Sequence, residues 1–155
     1  MLDVNNCFTY TYSAGTFADY SEDVTAAAIS ANVLDLDAAG IVPSGGSKPL
    51  WLIVRTIDVF ATIVSLGIKL ITDSAVPSLD AATGLDIVIY RFALAELTAN
   101  TLLINQPLPH FSYLQYLALE YEPYTEASAG SIVAYLSNSP EPAISAPEQT
   151  VEAGT

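Results

Sequence analysis

A chain of 155 residues has room for one domain with a substantial core. Apolar residues make up 52% of it and charged residues only 14%, against about 25% charged in ordinary globular proteins. The 17 acidic residues outnumber four basic ones, Lys48, Arg55, Lys69 and Arg91, for a formal charge of −13; this predicts no nucleic-acid and no anionic-membrane partner, because phosphates are gripped by Lys and Arg.

The apolar content argues against a disordered chain. Cys7 is the single cysteine, which excludes an internal disulfide and a cysteine-based zinc site. The start, MLDVNNCF, has no basic residues and no long apolar run, so it does not read as a secretory signal. A chain made in a reducing cytoplasm is expected.

Residues 1–28 carry Phe8, Tyr10, Tyr12, Phe17 and Tyr20 in polar company with no sustained period. They read as an arm laid over a surface, with aromatics supplying rigid contact area. NVLDL at 32–36 reads as a short strand with Leu34 and Leu36 on one face, followed by a loop marked by Gly40, Pro43, Gly45 and Gly46. Then comes KPLWLIVRTIDVF at 48–60, whose apolar run does not alternate. Together with the next segment it is long enough to span a bilayer. Against that stand Arg55, Asp58 and Lys69, each costing about 2.5–3.5 kcal/mol at a bilayer centre, and a β-branched content that favours strands. We read a central strand covered on both faces, with Trp51 in its core or at an interface and Arg55 and Asp58 marking where it leaves the dry region.

Residues 61–74 alternate strictly, Val64, Leu66, Ile68 and Leu70 against Ser65, Gly67 and Lys69. After a Pro77–Gly84 break, LDIVIYRFAL predicts a strand with Val88, Tyr90 and Phe92 opposite Ile87, Ile89 and Arg91. Further strands are expected around Leu102 to Ile104, at 112–123 with Tyr113, Gln115, Leu117, Leu119 and Tyr121 on one side, and at 130–138 with Ile132, Ala134 and Leu136 together. Seven or eight strands with turns between them and no convincing helix predict an all-β antiparallel sandwich or barrel over residues 29–138. Residues 139–155 are proline-rich and acidic and read as a flexible tail.

Candidate chemistry is thin. His110 is the only histidine, without a GxSxG nucleophile motif or a nearby carboxylate. The pairs Asp35/Asp37 and Glu120/Glu122 have the i, i+2 spacing that converges on a strand, yet no calcium loop surrounds them, so an acidic rim is the better reading. Cys7 has no basic neighbour to activate it, and Gly45-Gly46 lies in no strand–loop–helix unit. No catalytic residue, no metal ligand and no cofactor is predicted. The features that stand out are those of a protein whose work is contact.

Several segments stand in a recognisable order: SANVLDL at 30–36, KPLWLIVR at 48–55 running on to Phe60, and the TDS ending at 72–74. Leu108-Pro109, the Tyr116/Leu117/Leu119/Tyr121 strand and the Ala129-Gly130…Ile132…Ala134…Leu136 ending follow, and the chain starts Met-Leu-Asp. This order resembles the small jelly-roll cement, or decoration, proteins of tailed-phage capsids. It covers residues 30–138 and rests on strand texture. It implies a jelly-roll fold and a homotrimer on the outer surface of the virion head, made in the host cytoplasm, that bridges major capsid protein subunits. Phe8, Tyr10, Tyr12, Phe17, Tyr20, Trp51 and Arg55 are then the candidate capsid or trimer contacts. The alternative reading is a carbohydrate-binding jelly-roll module displaying exposed aromatics.

Overall fold

The computed structural model describes residues 6–13, 16–41, 49–79 and 84–141, with side-chain surroundings left undescribed at 11–19. The Gly45-Gly46 loop, Lys48, the initial Met-Leu-Asp and the tail beyond Glu141 lie outside the described residues.

Two antiparallel sheets face each other. One contains β3 (Glu22–Asp23), β11 (Ala129–Ser137), β6 (Trp51–Ala61) and β9 (Leu102–Pro107), in that lateral order. The other runs β4 (Ala28–Ile29), β10 (Tyr116–Pro123), β7 (Ser65–Asp73) and β8 (Leu85–Ala93), with β5 (Leu34–Asp35) also on the β4 side of β10. Alternation decides what each sheet buries. Leu52, Val54, Ile104, Ile132, Ala134 and Leu136 meet Leu66, Ile68, Leu70, Leu117, Leu119 and Tyr121 in one core, as period-2 strands with one inward face require. The expected β-sandwich is what the chain forms. The 50–71 stretch is therefore no single helix: it supplies β6 to one sheet and β7 to the other.

The pairing is nested. With β4 and β5 counted as one interrupted strand, the first of eight main strands pairs with the last (β3 with β11) and the second with the seventh (β4/β5 with β10). The third pairs with the sixth (β6 with β9) and the fourth with the fifth (β7 with β8).

Several expectations are corrected. The sheets do not begin at residue 29, because Glu22–Asp23 and Ala28–Ile29 are already laddered and Val24 is buried. The 6–9 stretch is no loose arm. Leu136 N–H donates to Asn6 O at 2.7 Å, Phe8 N–H donates to Ala134 O at 2.8 Å, and Cys7 bridges Tyr135. This segment thus prolongs the edge that β3 takes up again further along β11. Between them the chain leaves the sheet as a hairpin, β1 (Thr11–Ser13) and β2 (Thr16–Asp19).

NVLDL is a strand only at Leu34–Asp35, and then a single helical turn, α1 (Leu36–Ala39), begins. Asp35 starts it by accepting from the N–H groups of Asp37 and Ala38, both at 3.1 Å, and Gly40 ends it at φ +63°, the left-handed conformation glycine adopts without cost. A 3₁₀ turn spans Leu94–Glu96. In β8 the register slips opposite Leu70/Ile71, so Ile87 joins Val88 on the core side instead of alternating with it. Ser30 seals the break between β4 and β5: its N–H donates to Leu119 O, and its hydroxyl takes the Leu119 N–H and donates to Asn32 O.

Candidate functional site

The predicted contact residues do not converge on one patch. Phe8 has 0% exposure and belongs to the sandwich core, so it has no surface to offer a partner. Its burial follows from the ladder to Ala134, which fixes the backbone against β11 and aims the ring inward. Tyr10 and Tyr20 are half-buried at the base of the β1–β2 hairpin, ring centroids 6.3 Å apart and tilted by 59°. The Thr9 hydroxyl closes that base, donating to Tyr20 O and accepting the Ala134 N–H at 3.1 Å. Tyr12 and Phe17 are directly opposite in the register of the hairpin, which among the described residues pairs with neither main sheet. The aromatic-rich segment is thus a hairpin rooted on the sandwich edge, and its root is hydrogen-bonded to β11.

Trp51 is half-buried at the start of β6, between Ser137 of β11 and Pro107 of β9. Arg55 lies on the same outward face of β6, its side chain only 12% exposed. It is already engaged: its guanidinium meets the Glu141 carboxylate at 3.1 Å and donates to Asn100 O at 2.7 Å. Asn105, opposite Ile53 in register, donates to Glu141 O at 2.8 Å and accepts its N–H at 3.1 Å. Ile53, fully buried but pointing away from the main core, therefore sits between two residues that hold the chain's own residue 141. The strand leaves the dry region at Asp58, which is exposed, and not at Arg55, since Thr56 beyond it is fully buried. Nothing in a proline-rich tail signalled that Glu141 is ordered; a polar Asn in the middle of β9 was the available clue.

The residues considered for chemistry are occupied structurally. Asp35 caps α1. Glu120 and Glu122, with Asp86, surround the Lys69 ammonium at 3.7, 2.5 and 3.8 Å on the outer face of the second sheet. The hydrogen bond to Glu122 leads in holding the Lys69 pKa above its ordinary range. Among the described residues no group of three His, Cys, Asp or Glu is placed to hold a metal ion. His110 is exposed in the β9–β10 loop beside Phe111 and Ser112.

The most strongly perturbed buried pair is Glu22 with Tyr121. Tyr121 crosses the core from β10 and its hydroxyl donates to the Glu22 carboxylate at 3.0 Å. Burial pushes the Glu22 carboxyl up, while hydrogen bonds from the Ala31 backbone and Tyr121 pull it back. Burial likewise drives the Tyr121 phenol well above its ordinary value. The pair ties the short β3 to the opposite sheet, a structural role.

No family model matches this sequence, and no curated protein matches it.

Proposed function

We propose that the protein is a structural component of a tailed-phage head, a cement protein that sits on the outer capsid surface as a homotrimer and bridges major capsid protein subunits. The observation that carries this reading is the nested pairing 1–8, 2–7, 3–6, 4–5, with the strands divided in the lateral orders 1-8-3-6 and 2-7-4-5 between two sheets. Such nesting supports a jelly-roll winding, an architecture shared by viral capsid and lectin domains. The hairpin rooted at Thr9 and Tyr20 extends from one edge as a contact element. Three copies presented by a trimer gain avidity without any single strong site. A formal charge of −13 suits the outer face of a head better than its DNA-filled interior.

A glycan-binding reading would need adjacent aromatic rings on one exposed face. Among the described residues, the aromatic side chain that stands out as exposed is Tyr124 in the β10–β11 turn, far from Trp51 in sequence, while the adjacent rings of Phe111 and Tyr113 are half-buried.

The test is add-back. Recombinant protein should scatter light as a trimer and bind heads that lack it, raising their resistance to heat. A monomer that ignores such heads overturns the proposal.

A further inference from the structure

The sandwich manages its sheet edges unevenly. The outer edge of β11 is covered by residues 6–9 and by two-residue β3, and that of β10 by two-residue β4 and β5. The edge strand β9 is six residues long and ends in Pro107, which has no N–H to offer a neighbour. The remaining edge, β8, is nine residues long, contains no proline and no lysine, and has no described strand beyond it. Such an edge is a template for another strand. Its side chains are apolar on both faces: Leu85 is 49% and Ile89 43% exposed, and Val88, Tyr90 and Phe92 are half-buried against the core rim.

We propose that β8 is a homotypic docking edge, which pairs antiparallel with β8 of a second copy across a two-fold axis at Ile89. The sequence of the strand is self-complementary in that register. Ile89 meets Ile89 on the outer face, Val88 meets Tyr90 on the core side, and Leu85 falls opposite Phe92 in register. Arg91 of each copy comes against the Asp86–Ile87 bulge of the other. The bulge is what makes the faces agree. Without it, Asp86 and Arg91, five residues apart, would point to opposite sides. With it, both lie outward, as their ion pairs to Lys69 at 3.8 Å and Glu122 at 3.7 Å show. Arg91 remains 63% exposed and Asp86 49%, so both charges have room for a second partner. They are the only charges on the strand, and the two-fold sets them opposite each other twice. A capsid subunit or another foreign strand has no reason to match this charge order, whereas a second copy matches it by symmetry.

The two-fold contact cannot close a trimer. It joins lone chains in pairs, or trimers to neighbouring trimers, and does not depend on the cement reading. Interfaces that hold in dilute solution bury about 1,200–2,000 Å², and one ladder of this length lies below that, so the pairing is concentration-dependent. Above the ladder, Glu96 accepts the Ala93 N–H at 2.8 Å and ends the available edge.

The experiment is sedimentation of the full chain from micromolar to millimolar concentration, with Asp86→Arg and Arg91→Asp variants. A monomeric basal unit should double reversibly in mass, and a trimeric one, which carries three such edges, should add further trimers reversibly, starting with a doubled mass. Each single variant should weaken doubling about tenfold or more, by setting like charges opposite. An equimolar mixture of the two variants, and the double swap Asp86→Arg/Arg91→Asp, should restore it. A mass that never doubles, or doubling untouched by single variants, or a mixture no better than its components, overturns the proposal. The size of the basal unit separately reports whether the trimer exists.

Discussion

Arg55 and Glu141 meet over the outer face of β6, guanidinium to carboxylate at 3.1 Å, and Asn105 holds the Glu141 backbone by two further hydrogen bonds. This cluster explains how a strand with no polar face can exist in an acidic chain. β6 buries Leu52 and Val54 in the core, and on its other side Ile53, fully buried, lies beside Arg55 and Asn105, the two residues that hold the chain's own residue 141. The second cover of the strand is intramolecular at Ile53. A trimer mate or a capsid subunit is not required there.

The latch predicts two different truncations. Ending the chain after Glu141 keeps the ion pair and both Asn105 hydrogen bonds and sets the reference urea midpoint. Ending it after Asn138 exposes Ile53 and strips Arg55 of its partner, which should cost about 1–3 kcal/mol. Arg55→Ala should cost a similar amount by leaving a shielded carboxylate unpaired. Replacing both charges together with Arg55→Met/Glu141→Leu should cost less than either single change. Equal midpoints for the two truncations would show that residue 141 does not hold the sheet.

The sandwich was legible because alternation is a period-2 signal, and Leu66, Ile68 and Leu70 or Leu117, Leu119 and Tyr121 announce an inward face unaided. What was hidden had no period. A ladder of two residues, such as Glu22–Asp23, is too short to alternate, and Phe8 is drawn inward by pairing with Ala134, over 120 residues away in sequence. At Ile87 a bulge breaks the alternation and turns two neighbouring residues, Ile87 and Val88, to the core side. Asp35 and Asp37 had the spacing of a strand pair, yet one became a helix cap because two N–H groups at a helix start outweighed one more strand residue.

Gly130 should not tolerate a side chain. It lies at φ +142° in the bulge of β11, and an added Cβ would come within 2.3–2.6 Å of the Phe60 ring. Backbone strain and overpacking act together, so Gly130→Ala should destabilise by roughly 2–5 kcal/mol. Gly40→Ala meets open space and should cost only about 1 kcal/mol, from its left-handed backbone. Urea unfolding of the two variants makes the comparison.

The Glu22–Tyr121 pair predicts a pH dependence. A carboxyl held above its unfolded pKa by burial stabilises the fold when protonated. That contribution is complete below the unfolded value and is lost as pH rises through the folded one. The Tyr121 hydroxyl opposes this by stabilising the charged form. Tyr121→Phe should therefore destabilise by about 1–3 kcal/mol at pH 7, and by less near pH 4, where Glu22 is protonated and needs the donor less. Carboxyl titration followed by NMR should place Glu22 above the ordinary glutamate range. A penalty equal at both pH values would mean the hydroxyl does not serve the carboxylate.

The hairpin and its root should separate attachment from folding. Phe8 is fully buried, and Phe8→Ala should cost about 3–5 kcal/mol, enough to abolish head binding only by unfolding the protein. Tyr12 and Phe17 lie in a hairpin whose described pairing is with itself alone. Tyr12→Ser/Phe17→Ser should therefore leave the melting temperature within a few degrees while reducing retention on heads in a sedimentation assay by tenfold or more. Removing residues 1–28 whole would not make this distinction, because Cys7, Phe8, Thr9 and Val24 go with the hairpin and all four are buried. If the double hairpin variant binds heads like the unaltered protein, the hairpin is not the attachment element, and another surface must carry the contact.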